Sequence, residues 1–274
     1  MTEIDTGTDD LLARIDGHVG VITFNRPERR NALSDPMYAG IEQALDAFRD
    51  ASEVRVVLVT GNGGAFCAGG DVKGFHEANT GGARPAPGRA DPVERLRRNQ
   101  QTVSRGFHEF RCPVVAALPG PAAGAGLSMA LAADIRLAAE RALLVTAFAD
   151  VGASGDFGGS WFLEKLVGPA KAKELYFTSP RLTAADACAL GLVNQVLPDD
   201  GFDAAALQWC HDLAMKAPIA VALMKENINR ASTVDLATAL DAEATAMMAS
   251  MSTADHREAA AAFVEKRRPT FVGE

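Results

Sequence analysis

The chain has 274 residues, a net charge of −8 and 48% hydrophobic residues. It is long enough for one large domain with a sizeable core, or a domain plus an appendage, and its acidic balance argues against nucleic acid as a general partner. No apolar run reaches the roughly 18 residues of a membrane span. Met1 to Asp10 is acidic and polar rather than a signal peptide. The four cysteines, Cys67, Cys112, Cys188 and Cys210, lack metal-site spacing and read as free, mostly buried thiols of a reducing compartment. A cytoplasmic, soluble enzyme is the expectation.

In chain order, Leu11–Asp16 and Val19–Asn25 alternate around Gly17-His18 and predict a hairpin. A basic loop, Arg26 to Asn31, follows. Ser34 can cap a helix reaching about Asp50, with Met37, Ile41, Leu45 and Phe48 on one face. Val54–Thr60 is a continuous apolar strand of the kind buried on both faces. It runs into Gly61 to Asp71, a turn rich in glycine and alanine. Gly81 to Pro92 reads as a mobile loop, and a helix is expected from about Pro92 to Phe110. Pro113 to Leu118 is a second buried strand, and a second small-residue turn, Gly120 to Gly126, opens an apolar helical segment.

Both turns share one logic. A strand that ends in small residues and opens a helix presents free N–H groups to whatever approaches, and two such turns can aim two backbone donors at one oxyanion. Further along, Ile135–Ala138 and Leu143–Thr146 are short strands, and Phe157 to Val167 is a helix opened by Asp156. Ala170–Ser179 and Thr183–Leu190 are helices, and Val193–Leu197 is a strand. From about Asp200 the chain is alanine-rich and helical. Strands alternating with helices, then helices alone, define an α/β class with a helical C-terminal extension.

These residues closely resemble the crotonase superfamily, the enoyl-CoA hydratase/isomerase family. The likeness runs from Asn25-Arg26-Pro27-Glu28-Arg29-Arg30-Asn31-Ala32-Leu33 through Ala65–Lys73, residues 120–135 and Gly158-Gly159-Ser160 to Leu182-Thr183-Ala184 and Gly191-Leu192-Val193. Each motif alone is weak, and the whole set in order covers nearly the entire chain. The resemblance implies a crotonase fold, a spiral of ββα units over residues 1–200, and a helical trimerisation region over 201–274. It implies acyl-CoA thioester substrates, a homotrimer or dimer of trimers, and an enolate held by the backbone N–H groups of Gly70 and Ala125. No metal or redox cofactor is implied, because the thioester is itself the electron sink.

By the same resemblance the CoA handle is the basic loop and the first turn. Arg29, Ala32, Ala68, Asp71 and Val72 would line it, with Arg30 and Lys73 near the phosphates. Phe263 and Lys266 resemble a pair that closes over the nucleotide, sometimes from a neighbouring subunit. Residues 75–110 are expected to wall the acyl pocket.

The chain departs from the hydratases of this family at both of their glutamates, where Ser128 and Phe148 stand. Neither can serve as a base near pH 7. One carboxylate remains, Asp156, at the position where some branches place a catalytic aspartate. The ring-epoxide isomerase branch of phenylacetyl-CoA degradation is the closest likeness. Two readings of Asp156 stand together here: proton shuttle of an isomerase, its proton affinity raised by burial against Phe148, Phe157 and Trp161, or N-cap of the following helix. An isomerase of enoyl- or ring-containing thioesters is the expectation. The alternatives are a hydratase with other acid/base groups, a hydrolase or dehalogenase with Asp156 as nucleophile, and a non-catalytic acyl-CoA binding subunit. Asp71 reads as a helix cap, Asp134 and Asp150 as structural or solvent-facing, and His76 and His108 as surface or core residues.

Overall fold

The computed structural model describes residues 1–71 and 91–274. Val72, Lys73, His76 and most of the loop expected at Gly81 to Pro92 lie outside the described residues, as does the first part of the expected pocket wall. A large sheet takes the order β1-β2-β3-β4-β5-β7-β10. Its strands are β1 (Thr2–Ile4), β2 (Leu11–Asp16), β3 (Val19–Phe24), β4 (Val56–Gly61), β5 (Val114–Leu118), β7 (Ile135–Ala139) and β10 (Gln195–Leu197). The first three pair antiparallel, and the rest run parallel from β3 onward. A small sheet, β6-β8-β9, gathers β6 (Ala122–Ala123), β8 (Leu143–Val145) and β9 (Leu182–Thr183). β5, β6 and the Ala125–Ala132 helix form one ββα turn of the spiral; β7, β8 and the Gly159–Thr178 helix form the next.

The apolar runs explain the layering. β5 is buried along its whole length and β4 along nearly all of it, as parallel strands covered on both faces must be. One face meets Met37, Ile41, Ala44, Leu45 and Phe48 of the Asp35–Asp50 helix. Ser34 caps that helix as expected: its Oγ accepts from Met37 N (3.4 Å) and donates to Asp10 Oδ2 (2.5 Å). The other face packs on Phe202, Ala206, Cys210 and Ala214 of the Phe202–Ala214 helix. That helix reads by composition as part of the C-terminal extension, yet it covers the sheet. The next two, Pro218–Ala231 and Leu236–Met251, bury no residue, and Ala254–Glu265 buries only Asp255 and Ala262.

Several elements differ from expectation for local reasons. The polar β1 is a three-residue edge strand without an alternating apolar signal. The Pro92–Gln100 helix passes through a π turn, Gln101–Arg105, before Gly106–His108. The two helices expected around residues 157–179 are one element, Gly159–Thr178, kinked at Gly168-Pro169 where Gly168 has φ +76°. Among the described residues no helix is long and apolar enough to cross a membrane.

Candidate active site

The two small-residue turns are stitched together. The Asn31 side chain donates to Asn62 O (2.9 Å) and Ala65 O (2.8 Å) and accepts from Arg26 N (2.8 Å), tying the basic loop to the first turn. Ala68 N donates to Arg30 O (3.0 Å), and Leu33 N to Gly69 O (2.8 Å). Cys67 pairs parallel with Ala122, and Ala123 N donates to Cys67 O (3.0 Å). Gly69 has φ +84°; a Cβ there would lie 2.7 Å from Ala123 O and 3.2 Å from Ala125 N. Only glycine fits both the conformation and the gap.

This contact sets the Gly70 amide beside the start of the Ala125–Ala132 helix. Gly70 N–H makes no hydrogen bond among the described residues. Ala125 N–H, in the first turn, has no intrahelical acceptor. Among the described residues neither donor is taken up, an arrangement compatible with an anionic oxygen.

Asp156 sits on a strained turn held from two sides. Phe157, 1% exposed, has φ +49°, a conformation a bulky residue keeps only when its surroundings impose it. Ser104 Oγ donates to Phe157 O (2.7 Å), and the Tyr38 ring stacks on Phe157 at 5.8 Å between centroids and 10° between planes. The helix begins at Gly159 with Gly158 as N-cap and no side-chain cap bond. The N-cap reading of Asp156 is thereby overturned: the left-handed Phe157 and Gly158 place the carboxylate ahead of the helix, off its N-terminal amides. Asp156 Oδ1 is buried, with no hydrogen-bond partner among the described residues. Burial alone pushes the carboxyl up to about 6.

Around it lie Ser128, Phe148 and Tyr176. Phe148 is buried, stacks on Tyr176 (5.7 Å, 18°) and approaches Gly124, the N-cap of the Ala125–Ala132 helix. Ser128 Oγ donates to Gly124 O (3.3 Å). Trp161, expected against Asp156, is 43% exposed and packs instead on His108 and Phe162 under the Lys165 ammonium; the later helix start turns it away. Tyr38 and Tyr176 were not singled out by sequence reasoning. They are the only two tyrosines of the chain, and the Asp156 charge acts on both.

The other expected residues divide. Ala32 is buried, Ala68 and Asp71 are half-buried, and Arg29 and Arg30 are exposed beside the first turn. Phe263 is 86% exposed, and Lys266 is the left-handed C-cap of the Ala254–Glu265 helix; among the described residues no hydrogen bond or ion pair joins either to the two turns. Asp134 is structural: its Oδ2 accepts from Val114 N (2.7 Å) and Lys225 Nζ (2.7 Å). Asp150 is exposed, and His108 packs edge-on against Trp161 and Phe162. The cysteines are free, Cys188 half-buried and the other three buried. Among the described residues no three His, Cys, Asp or Glu side chains cluster as a metal site.

Comparison with known proteins fits this geometry. The enoyl-CoA hydratase/isomerase family model matches residues 14–274. The chain is 36% identical to a 1,2-epoxyphenylacetyl-CoA isomerase of Escherichia coli K12, over 96% of this chain and 98% of that one. It is 33% identical to a short-chain-enoyl-CoA hydratase of Clostridium acetobutylicum, over 95% and 96%. The crystal structure of an enoyl-CoA hydratase from Polaromonas sp. JS666 superposes with a TM-score of 0.87 at 34% identity, covering 96% of this chain and 99% of that one. The chain belongs to the enoyl-CoA hydratase/isomerase family and has the crotonase fold.

Proposed function

We propose that this member of the enoyl-CoA hydratase/isomerase family is an isomerase that moves a double bond in an enoyl- or ring-type acyl-CoA thioester, with Asp156 carrying the proton. The observation that carries this reading is the half-buried Asp156 carboxylate: its Oδ1 is buried, has no partner among the described residues, and burial shifts the group up to about 6. At pH 7 it is mostly ionised and able to act as a base, and its conjugate acid is strong enough to give the proton back. Ser128 and Phe148 occupy the places of the two hydratase glutamates, so two-carboxylate water addition has no players there.

Asp156 takes a proton from C2 of a 3-enoyl thioester. The C–H electron pair moves into the thioester, whose oxygen gains negative charge as a dienolate. The N–H groups of Gly70 and Ala125 meet that charge without reorganising, and one such donor is worth roughly 3–4 kcal/mol. The same carboxyl then delivers the proton to C4, leaving the double bond between C2 and C3. The buried Phe157 beside the carboxylate and the buried Phe148 stacked on Tyr176 limit the water that reaches Asp156. This chemistry requires no metal or redox group, since the thioester accepts the electrons.

In this reading the CoA portion lies along Arg29, Ala32, Ala68, Asp71 and Val72, and Phe263 and Lys266 close over the nucleotide. The exposed Met224, Ile228, Leu240 and Met247 of the C-terminal helices serve assembly into a homotrimer or dimer of trimers.

The test is turnover of a 3-enoyl-CoA and a 2-enoyl-CoA by the wild type and Asp156→Asn, followed by ultraviolet absorbance and mass. Double-bond migration at unchanged mass is expected, with kcat about 10²- to 10⁴-fold lower in Asp156→Asn and KM little changed. Gain of one water from the 2-enoyl substrate, indifferent to Asp156, would replace the isomerase with a hydratase.

A further inference from the structure

We propose that Tyr176 is a positioning residue for Asp156: its hydroxyl, wedged into the turn that bears the carboxylate, donates to Asp156 directly or through one bridging water, and holds the carboxylate in its working orientation. This inference rests on the isomerase reading above and adds a residue to it.

The geometry comes from two glycines that flank the aspartate. A Cβ on Gly155 would lie 2.9 Å from Tyr176 Cε1 and 3.3 Å from Tyr176 Oη. A Cβ on Gly159 would lie 2.5 Å from Tyr176 Oη and would collide with Ser128 Oγ. The phenol oxygen therefore reaches the chain just before and just after Asp156, and only residues without side chains leave room for it.

Among the described residues Tyr176 Oη is buried without a well-formed hydrogen bond, with only the Ser128 hydroxyl acting on it, and Asp156 Oδ1 is buried without a partner. Two such orphans in one nook are an unusual pair, because each unsatisfied buried group costs about 1–3 kcal/mol. One is a donor and the other an acceptor, so pairing satisfies both. The stack of Phe148 on the Tyr176 ring fixes the direction of its hydroxyl. Ser128 Oγ already donates to Gly124 O, which leaves it an acceptor that competes for the phenol proton.

Among the described residues the titratable groups that face Asp156 are Tyr38 from the Asp35–Asp50 helix, Cys67 from the first turn, and Tyr176. Burial raises all three, Cys67 and Tyr176 to about 12, so each stays protonated where Asp156 titrates. Arg95 and Asp35, paired at 3.2 Å, act on Tyr38 from beyond it. A hydrogen bond from Tyr176 stabilises the ionised carboxylate and lowers its proton affinity relative to burial alone.

The test is the pH dependence of kcat/KM on a 3-enoyl-CoA. Tyr176→Phe is expected to move the acid limb up by about one pH unit, a tenfold change in proton affinity, with KM within about twofold. Ser128→Ala is expected to leave the limb in place or lower it, since it removes the competing acceptor. Replacing the tyrosines by the more acidic 3-fluorotyrosine, in a Tyr38→Phe background, keeps the packing and is expected to move the limb down. A uniform loss of kcat in Tyr176→Phe with an unmoved limb, or a rise in Ser128→Ala as large as in Tyr176→Phe, would overturn the proposal. Full activity in Asp156→Asn would instead remove the isomerase reading itself, so the two failures are distinct.

Discussion

Asp134 and Asp156 carry the same side chain into two comparable places, each just after a run of small residues and just before a strand or helix. Their surroundings separate them completely. The Asp134 carboxylate meets Val114 N and Lys225 Nζ, while Asp134 N donates to Val114 O (2.9 Å), so the turn into β7 is locked to β5 and to the Pro218–Ala231 helix. Lys225, only 8% exposed, also donates to the carbonyls of Phe107 (3.2 Å) and Cys112 (3.1 Å). Asp156 has a strained aromatic neighbour, Phe157, and an oxygen without a partner among the described residues. A carboxylate whose needs are met by protein serves the fold; one left unmet at a cost is available to a substrate.

The largest effect that separates them is on stability. Asp134→Ala leaves the Lys225 ammonium buried with carbonyls only, and is expected to destabilise by about 3 kcal/mol, since breaking one side of a buried pair exposes the full desolvation cost. Denaturant unfolding measures this, and kcat/KM per folded molecule should stay within about twofold. A folded Asp134→Ala enzyme that has lost turnover would break the comparison, because Asp134 would then act in the chemistry.

Asp156→Asn should move stability the other way. The folded carboxyl is pushed up to about 6 from an ordinary 3.8, so above pH 6 the native state carries a charge it disfavours and the unfolded state does not. Below 3.8 both states are protonated and the difference vanishes. The full shift corresponds to about 3 kcal/mol; solvent that still reaches the group reduces this to about 1–2 kcal/mol. Asp156→Asn is therefore expected to raise Tm at pH 8 and to match the wild type near pH 3.5. Equal Tm values at both pH values would mean that the carboxylate is better solvated or better paired than its burial indicates.

The sequence carries the frame of this site more fully than its interior. Apolar runs and glycine punctuation are local signals, so Val56–Gly61, Val114–Leu118, both turns and the Ser34 cap are legible from a few residues each. By the family resemblance, Asp156 is legible as the carboxylate left where Ser128 and Phe148 stand in the places expected for glutamates. Its setting is not. The left-handed φ of Phe157 moves the helix start by two residues, which turns Trp161 outward and denies Asp156 its capping role; a bulky residue in that conformation leaves no mark in local pattern. Tyr176 lies 20 residues from Asp156 and comes beside its turn because the bare Gly155 and Gly159 leave room for its ring and hydroxyl. The sole usable signal was rarity, two tyrosines in 274 residues. Thr2–Ile4 was missed for the opposite reason, since a short polar edge strand is defined by its partner alone.

The smallest expected effect probes what holds the unsatisfied carboxylate in place. Ser104 Oγ donates to Phe157 O across 53 residues of sequence, from the π turn of the Pro92–His108 segment to the strained turn of the site. A π turn inserted in a helix often marks such a functional contact, and here it brings a buried hydroxyl to the one carbonyl whose peptide carries the strain. Ser104→Ala removes that donor and leaves a buried carbonyl unpaired, at a cost of about 1 kcal/mol. On the proposed isomerase reading the same change relaxes the φ of Phe157 and loosens the aim of Asp156, so kcat should fall several-fold while KM holds. Cysteine at this position, isosteric but a weak donor, should fall between the two. A Ser104→Ala enzyme with wild-type kcat would mean that the Tyr38 stack and the Phe157 packing suffice to hold the turn. The strain at Phe157 would then be fixed by apolar contacts alone, as the Lys225 bridge at Asp134 is fixed by polar ones.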